Sequence, residues 1–143
     1  MRIAIGSDHA GYRLKEAVKS YLLKQEYTVE DFGTNDTKSC DYNDVATPLA
    51  LALVKGDFDR GILICGTGIG MSIQANKIQG IRAALVHDVF SAEATRLHND
   101  SNILTMGGRI LGDDLAFKIA DVWLKTEFSN EKRHQRRVNK IES

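Results

Sequence analysis

Short apolar runs alternate with amphipathic stretches along the whole chain. Ile3, Ala4 and Ile5 stand consecutively, as in a strand covered on both sides. Leu14, Ala17, Val18, Tyr21 and Leu22 then recur at i, i+3, i+4, i+7 and i+8, which predicts a helix with one buried face. Residues 28–32 read as a second strand ended by Gly33, and the polar stretch 34–43 as a loop. A helix over 45–54 stops near Gly56. Ile62, Leu63 and Ile64 make 61–65 the clearest strand. A glycine-rich turn leads from it into a helix over 70–77. A strand over 82–86, a helix over 90–98 and a strand over 102–106 follow, the last broken by Gly107 and Gly108. Leu115, Ile119, Val122 and Trp123 share one side of a helix over 111–127, and the basic segment 131–141 also reads as helical.

Strand and helix thus alternate about five times, the order of a parallel, doubly wound sheet. The predicted class is α/β: a Rossmann-like three-layer sandwich with five parallel strands and helices on both faces, formed by residues 1–143 as one domain. Such sheets bind ligands beyond the carboxyl ends of their strands. Four places qualify: 6–11, 65–72, 87–88 and 107–109.

Composition narrows the ligand. At 43% apolar and 27% charged, the 143 residues can bury a proper core. Nineteen basic residues offset nineteen acidic ones, so no overall field favours nucleic acid or an anionic membrane. Locally, however, Lys132, Arg133, His134, Arg136, Arg137 and Lys140 cluster without an acid among them, which suits a small anion. The two cysteines, Cys40 and Cys65, form neither a CxxC pair nor a metal-ligand spacing, so no metal is expected. With no signal-like start and no apolar run of about 20 residues, the expected setting is cytoplasmic.

The run CGTGIGMS, beginning at Cys65, sets three alternating glycines between a buried strand and a helix. Main-chain N–H groups can converge there on an anion. A Walker loop would need Lys and Ser or Thr after Gly70, and a dinucleotide GxGxxG would need glycine at Met71; neither is present. The amides could instead hold the negative oxygen of an enediolate, with the Cys65 thiol beside it as a candidate base. Cys65 reads equally as a small hydrophobe ending a strand. In GSDHAG (6–11), Asp8 suits a helix cap, but His9 and the bracketing glycines suit a site. His98 ends a helix, where histidine complements the dipole and is also able to exchange protons. Arg133 and Arg137, four apart, could clasp one phosphate, or could belong to a solvated tail.

These segments resemble the type B ribose-5-phosphate isomerases, grouped with the galactose-6-phosphate isomerases. The matching blocks are GSDHAG (6–11), CGTGIGMSIQANK (65–77), GIRAA (80–84), HND (98–100), GGR (107–109) and RHQRRV (133–138). The resemblance implies that Cys65 moves the proton between C1 and C2 of an open-chain sugar phosphate, and that Thr67 assists proton exchange between O1 and O2. Gly66, Gly68, Ile69 and Gly70 would supply the anion hole. His98 would open the furanose ring with help from Asp8, while Asn99 and Tyr42 touch the sugar. His9, Arg133 and Arg137 would hold the phosphate, with Arg109 lining the site. It further implies no cofactor and a homodimer or dimer of dimers, with His98, Asn99 and Arg109 donated across the interface.

The expected reaction is interconversion of D-ribose 5-phosphate and D-ribulose 5-phosphate, with allose or galactose 6-phosphate as the alternative substrate class. A non-catalytic sugar-phosphate sensor would be expected to lack Cys65 or His98. Asn43 stands where the family usually has proline, and Glu131-Lys132 where it commonly has two glycines. Met71 stands where some relatives carry a glutamate base, which leaves the thiol as the candidate base in the loop. Cys40 has no implied role.

Overall fold

The computed structural model describes all 143 residues. Five strands, β1 (Arg2–Ser7), β2 (Thr28–Asp31), β3 (Arg60–Cys65), β4 (Ala83–Leu85) and β5 (Ile103–Gly107), form one sheet in the order β2-β1-β3-β5-β4. Every neighbouring pair is parallel. The helices are α1 (Tyr12–Lys24), α2 (Asn43–Lys55), α3 (Ile69–Ala75), α4 (Val89–Asn99), α5 (Asp113–Lys125) and α6 (Lys132–Glu142). The predicted three-layer α/β architecture is the one observed. No helix is long and apolar enough to cross a membrane.

The consecutive apolar residues of the strands divide between two cores. Ile3, Ile5, Ile62, Ile64, Leu104 and Met106 pack with Leu14, Val18, Ile119 and Trp123 beneath α1, α4 and α5. Ala4, Leu63, Cys65 and Ile103 face Val45, Leu49, Met71 and Ala75 of α2 and α3. A strand with helices on both faces needs apolar residues at every position, which is why its sequence shows no alternation.

Element ends differ from expectation where a side chain or a glycine takes over a backbone role. The fourth strand has three residues rather than five: the Arg82 N–H meets the Asn102 side chain at 2.8 Å in place of a strand carbonyl. Asn76 both donates to and accepts from the main chain of Ala83, at 3.0 and 2.8 Å, and α3 stops just before it at Ala75. Gly112 precedes α5, which therefore begins at Asp113, not at Leu111.

One buried charge fixes the edge above β1 and β2. The Lys15 ammonium is fully buried, 2.9 and 3.0 Å from the two oxygens of Asp31, and donates to the Thr34 carbonyl. Thr34 and Gly33 in turn bond the main chain of Ser7. This ties the start of the 33–42 segment to the strand that carries Asp8 and His9. Burial raises the Asp31 pKa, but the bonds from Lys19, Lys15 and the Gly33 N–H outweigh it and hold the carboxyl below its ordinary 3.8.

Asp31 therefore contributes stability that is present above about pH 4 and lost as pH falls through its lowered value. Asp31→Asn, which leaves the buried Lys15 ammonium with only the Glu16 carboxylate at 3.4 Å, is expected to cost about 3 kcal/mol in urea unfolding at pH 7. The variant should also lose stability less steeply on acidification than the wild type.

Candidate active site

The carboxyl ends of β1, β3 and β5 open into a cleft of about 470 Å³ lined by Asp8, His9, Tyr42, Cys65, Gly66, Thr67, Ile69, Gly70 and Arg109, among others. That is ample for a small phosphorylated ligand. Asp8 is nearly buried, and its Oδ1 accepts from the N–H groups of Ala10 and Gly11, both at 3.0 Å. It braces the turn ahead of α1 rather than capping the helix itself, whose N-cap is Gly11. His9 accepts from the Cys40 N–H at Nδ1, 3.2 Å, so its proton resides on Nε2. Cys40 thereby enters the site through its main chain, a contact between residues 31 apart that nothing in the sequence marks.

The loop after β3 builds the cradle. Cys65 is 5% exposed, and its Sγ accepts from the Gly68 N–H at 3.1 Å, a bond that strengthens when sulfur carries charge. Gly68 has φ +79°, and a Cβ there would lie 2.6 Å from Leu85 and 2.8 Å from the Met106 carbonyl carbon, so only glycine fits. Thr67 accepts from the Ile69 N–H at 3.2 Å, which leaves its hydroxyl hydrogen free to donate. The N–H groups of Gly66, Thr67 and Gly70 meet no protein acceptor. Tyr42, at the start of α2, lies so close over Gly70 that a Cβ there would be 2.7 Å from its ring. Asn43, instead of a stiffening proline, donates to Gln74 of α3 at 2.7 Å and so tethers this loop by side chain. Met71 is fully buried in the core beneath the cradle.

A second group of predicted residues lies elsewhere. Helices antiparallel to the strands end at the opposite edge of the sheet, and Asn99 and Asp100 accept from Arg82, ahead of β4. Nearby, Gly61 donates to the Asn102 carbonyl, four residues before Cys65 on β3 and so about 13 Å away along the strand. His98 and Asn99 of one chain therefore lie away from the Cys65 of that chain. α6 packs against α4, and the buried His134 stacks on exposed His98 with ring centroids 4.5 Å apart. Burial, then the charges of His98 and Arg133, hold the His134 pKa below 6.5. Arg133 and Arg137 flank it, exposed, with Arg133 bonded to Glu131 at 2.9 Å. The sequence shows His134 only as a member of the basic cluster; its place behind His98 depends on how two helices cross.

Arg109 requires a correction. The resemblance implied that it crosses an interface, whereas its guanidinium lies beside Gly66 of its own chain. The backbone explains the placement: Gly108 N–H donates to the Cys65 carbonyl at 2.8 Å and Arg109 N–H to the Gly66 carbonyl at 3.0 Å.

A doubly wound parallel sheet with a thiol and unclaimed amides at its carboxyl edge belongs to the class of α/β domains that take small ligands beyond the ends of their strands. The chain belongs to the Ribose/Galactose Isomerase family, whose model matches residues 3–141. It is 46% identical to ribose-5-P isomerase B of Listeria innocua, over 99% of this chain and 95% of that one. The solved ribose-5-phosphate isomerase B of Clostridium thermocellum superposes with a TM-score of 0.97 at 51% identity, covering 99% of this chain and 95% of that one. The D-erythrulose-4-phosphate isomerase of Pectobacterium atrosepticum is 45% identical over 90% of this chain and 85% of its own length.

Gly68→Ala should cost about 3 kcal/mol, combining left-handed backbone strain with overpacking against Leu85 and Met106. Gly112→Ala, where a Cβ meets nothing within 4 Å, should cost less than about 1 kcal/mol. Urea midpoints of the two variants give the comparison.

Proposed function

We propose that this protein interconverts D-ribose 5-phosphate and D-ribulose 5-phosphate through an enediolate, with Cys65 as the base. Family membership supports the coarser statement, that it is a sugar-phosphate isomerase. One observation carries the finer one: the Cys65 sulfur, the Thr67 hydroxyl and the free amides of Gly66, Thr67 and Gly70 share one cleft.

In this reading the Cys65 thiolate takes the proton from C2 of the open-chain aldose. Charge then passes to the carbonyl oxygen, where preorganised amides stabilise it at little cost in reorganisation. The thiol returns the proton to C1, and Thr67 relays hydrogen between O1 and O2. His9, with its Nε2 proton, serves the phosphate, whose binding energy orients C1 and C2 against sulfur.

Ring opening by His98, and phosphate binding by Arg133 and Arg137, require a second copy of the chain, because those residues sit at the edge of the sheet opposite Cys65. A homodimer in which each cleft receives His98, Asn99, Arg133 and Arg137 from its partner completes the set. Arg109 acts in its own chain. A four-carbon sugar phosphate is the second reading, favoured by the relative from Pectobacterium atrosepticum. Hexose 6-phosphates are the third.

A coupled isomerase assay over four-, five- and six-carbon sugar phosphates decides among them, with the highest kcat/KM expected for ribose 5-phosphate. Cys65→Ala should lower kcat by on the order of a thousandfold with little change in KM; substantial residual turnover would assign the proton to another group. Cys65→Ala and His98→Ala subunits, each inactive alone, should on mixing and reassembly recover about a quarter of wild-type activity. Half of the dimers are then mixed, and each holds one intact site. No recovery, with mixed dimers verified, would place both groups in one subunit's site.

A further inference from the structure

His87 follows β4 at the same edge of the sheet as Cys65, yet it takes no part in the proposed reaction. Its imidazole Nε2 accepts from the Gly107 N–H at 3.0 Å. The reason lies in the sheet. Along β5, Thr105 and Gly107 direct their main-chain polar groups toward β4, and the Val86 N–H claims the Thr105 carbonyl. β4 has already ended at Leu85, so the next β5 donor, on Gly107, has no strand carbonyl to meet. A side-chain acceptor takes that place.

Gly107 is paired with Cys65 in register. A Cβ on it would lie 2.9 Å from the main chain of Thr67, so the strand end presses directly on the cradle. The next two residues bond the carbonyls of Cys65 and Gly66. We propose that His87 is a positioning residue, whose neutral imidazole holds the 107–109 turn against the Cys65 loop and whose protonation releases it. This role in turnover rests on the isomerase reading.

Partial burial lowers the His87 pKa below 6.5, with Asp88 opposing the shift more weakly. Asp88 is the charged group acting on the ring; it caps α4 through Ser91. The β5 group that meets the ring is the Gly107 N–H, and the Arg109 guanidinium is directed to Gly66. The hold is therefore complete above pH 6.5 and lost as pH falls through the lower value of the folded chain.

The test follows amide resonances of wild type and His87→Gln from pH 8 to 5, where glutamine offers an acceptor that does not titrate. In the wild type, the Gly107 and Arg109 amides should titrate together with the His87 ring, at a midpoint below 6.5; in His87→Gln they should not. With ribose 5-phosphate, His87→Gln should match wild-type kcat/KM at pH 8 and keep it further into acid. His87→Leu should lose about tenfold, as expected for an orphaned buried donor. A Gly107 amide indifferent to ring protonation, superimposable pH profiles, or a fully active His87→Leu would each overturn the proposal. Should His87→Leu fail to fold, the other two measurements decide. Absence of turnover on every sugar phosphate would remove the isomerase reading alone, because the amide titration needs no substrate.

Discussion

Two main-chain hydrogen bonds, from Gly108 to the Cys65 carbonyl and from Arg109 to the Gly66 carbonyl, determine where the third strand stops and how its loop leaves the sheet. They occupy the carbonyls of residues 65 and 66 and leave the adjoining N–H groups facing the cleft. The left-handed turn at Gly68 then brings an N–H back onto the sulfur. Without that pairing the loop would have no fixed direction, and neither the thiol nor the amides would share a centre. The cradle is thus a property of strand order: β5 must lie beside β3 for it to exist.

The same geometry divides the polar residues of the proposed site into two sets. In a parallel sheet with antiparallel helices, residues that follow strands and residues that end helices occupy opposite edges. Asp8, His9, Cys65 and Arg109 belong to the first set and His98 and Asn99 to the second, which Arg133 and Arg137 join because α6 packs on α4 with His134 against His98. The proposed reaction needs both. In the proposed dimer neither set has to move, and a chain of zero formal net charge presents a concentrated basic patch to a phosphate.

Much of this was legible in the sequence. Ile62, Leu63 and Ile64 announce a strand covered on both faces, and the glycines after Cys65 announce an amide cradle, because both signals are local. The length of β4 was not legible, since the Asn102 side chain, 20 residues away, takes the Arg82 N–H in place of a strand carbonyl. The His9–Cys40 contact, the Lys15–Asp31 pair and the His87–Gly107 bond join residues 31, 16 and 20 apart, and they appear only once the strands are ordered. Arg109 lies beside Gly66 of its own chain and not across an interface as the resemblance implied, a distinction that spacing cannot encode.

The short fourth strand carries one more consequence. Exposed sheet margins invite a foreign segment to add itself by ladder bonding, and proteins guard against this by leaving little to pair with. Here Asn76 turns its carboxamide onto both polar groups of Ala83 and imitates the neighbour that an intruding strand would have to be. A single side chain thus occupies the outward polar groups of Ala83 and leaves only Leu85 of this three-residue strand open to an intruder.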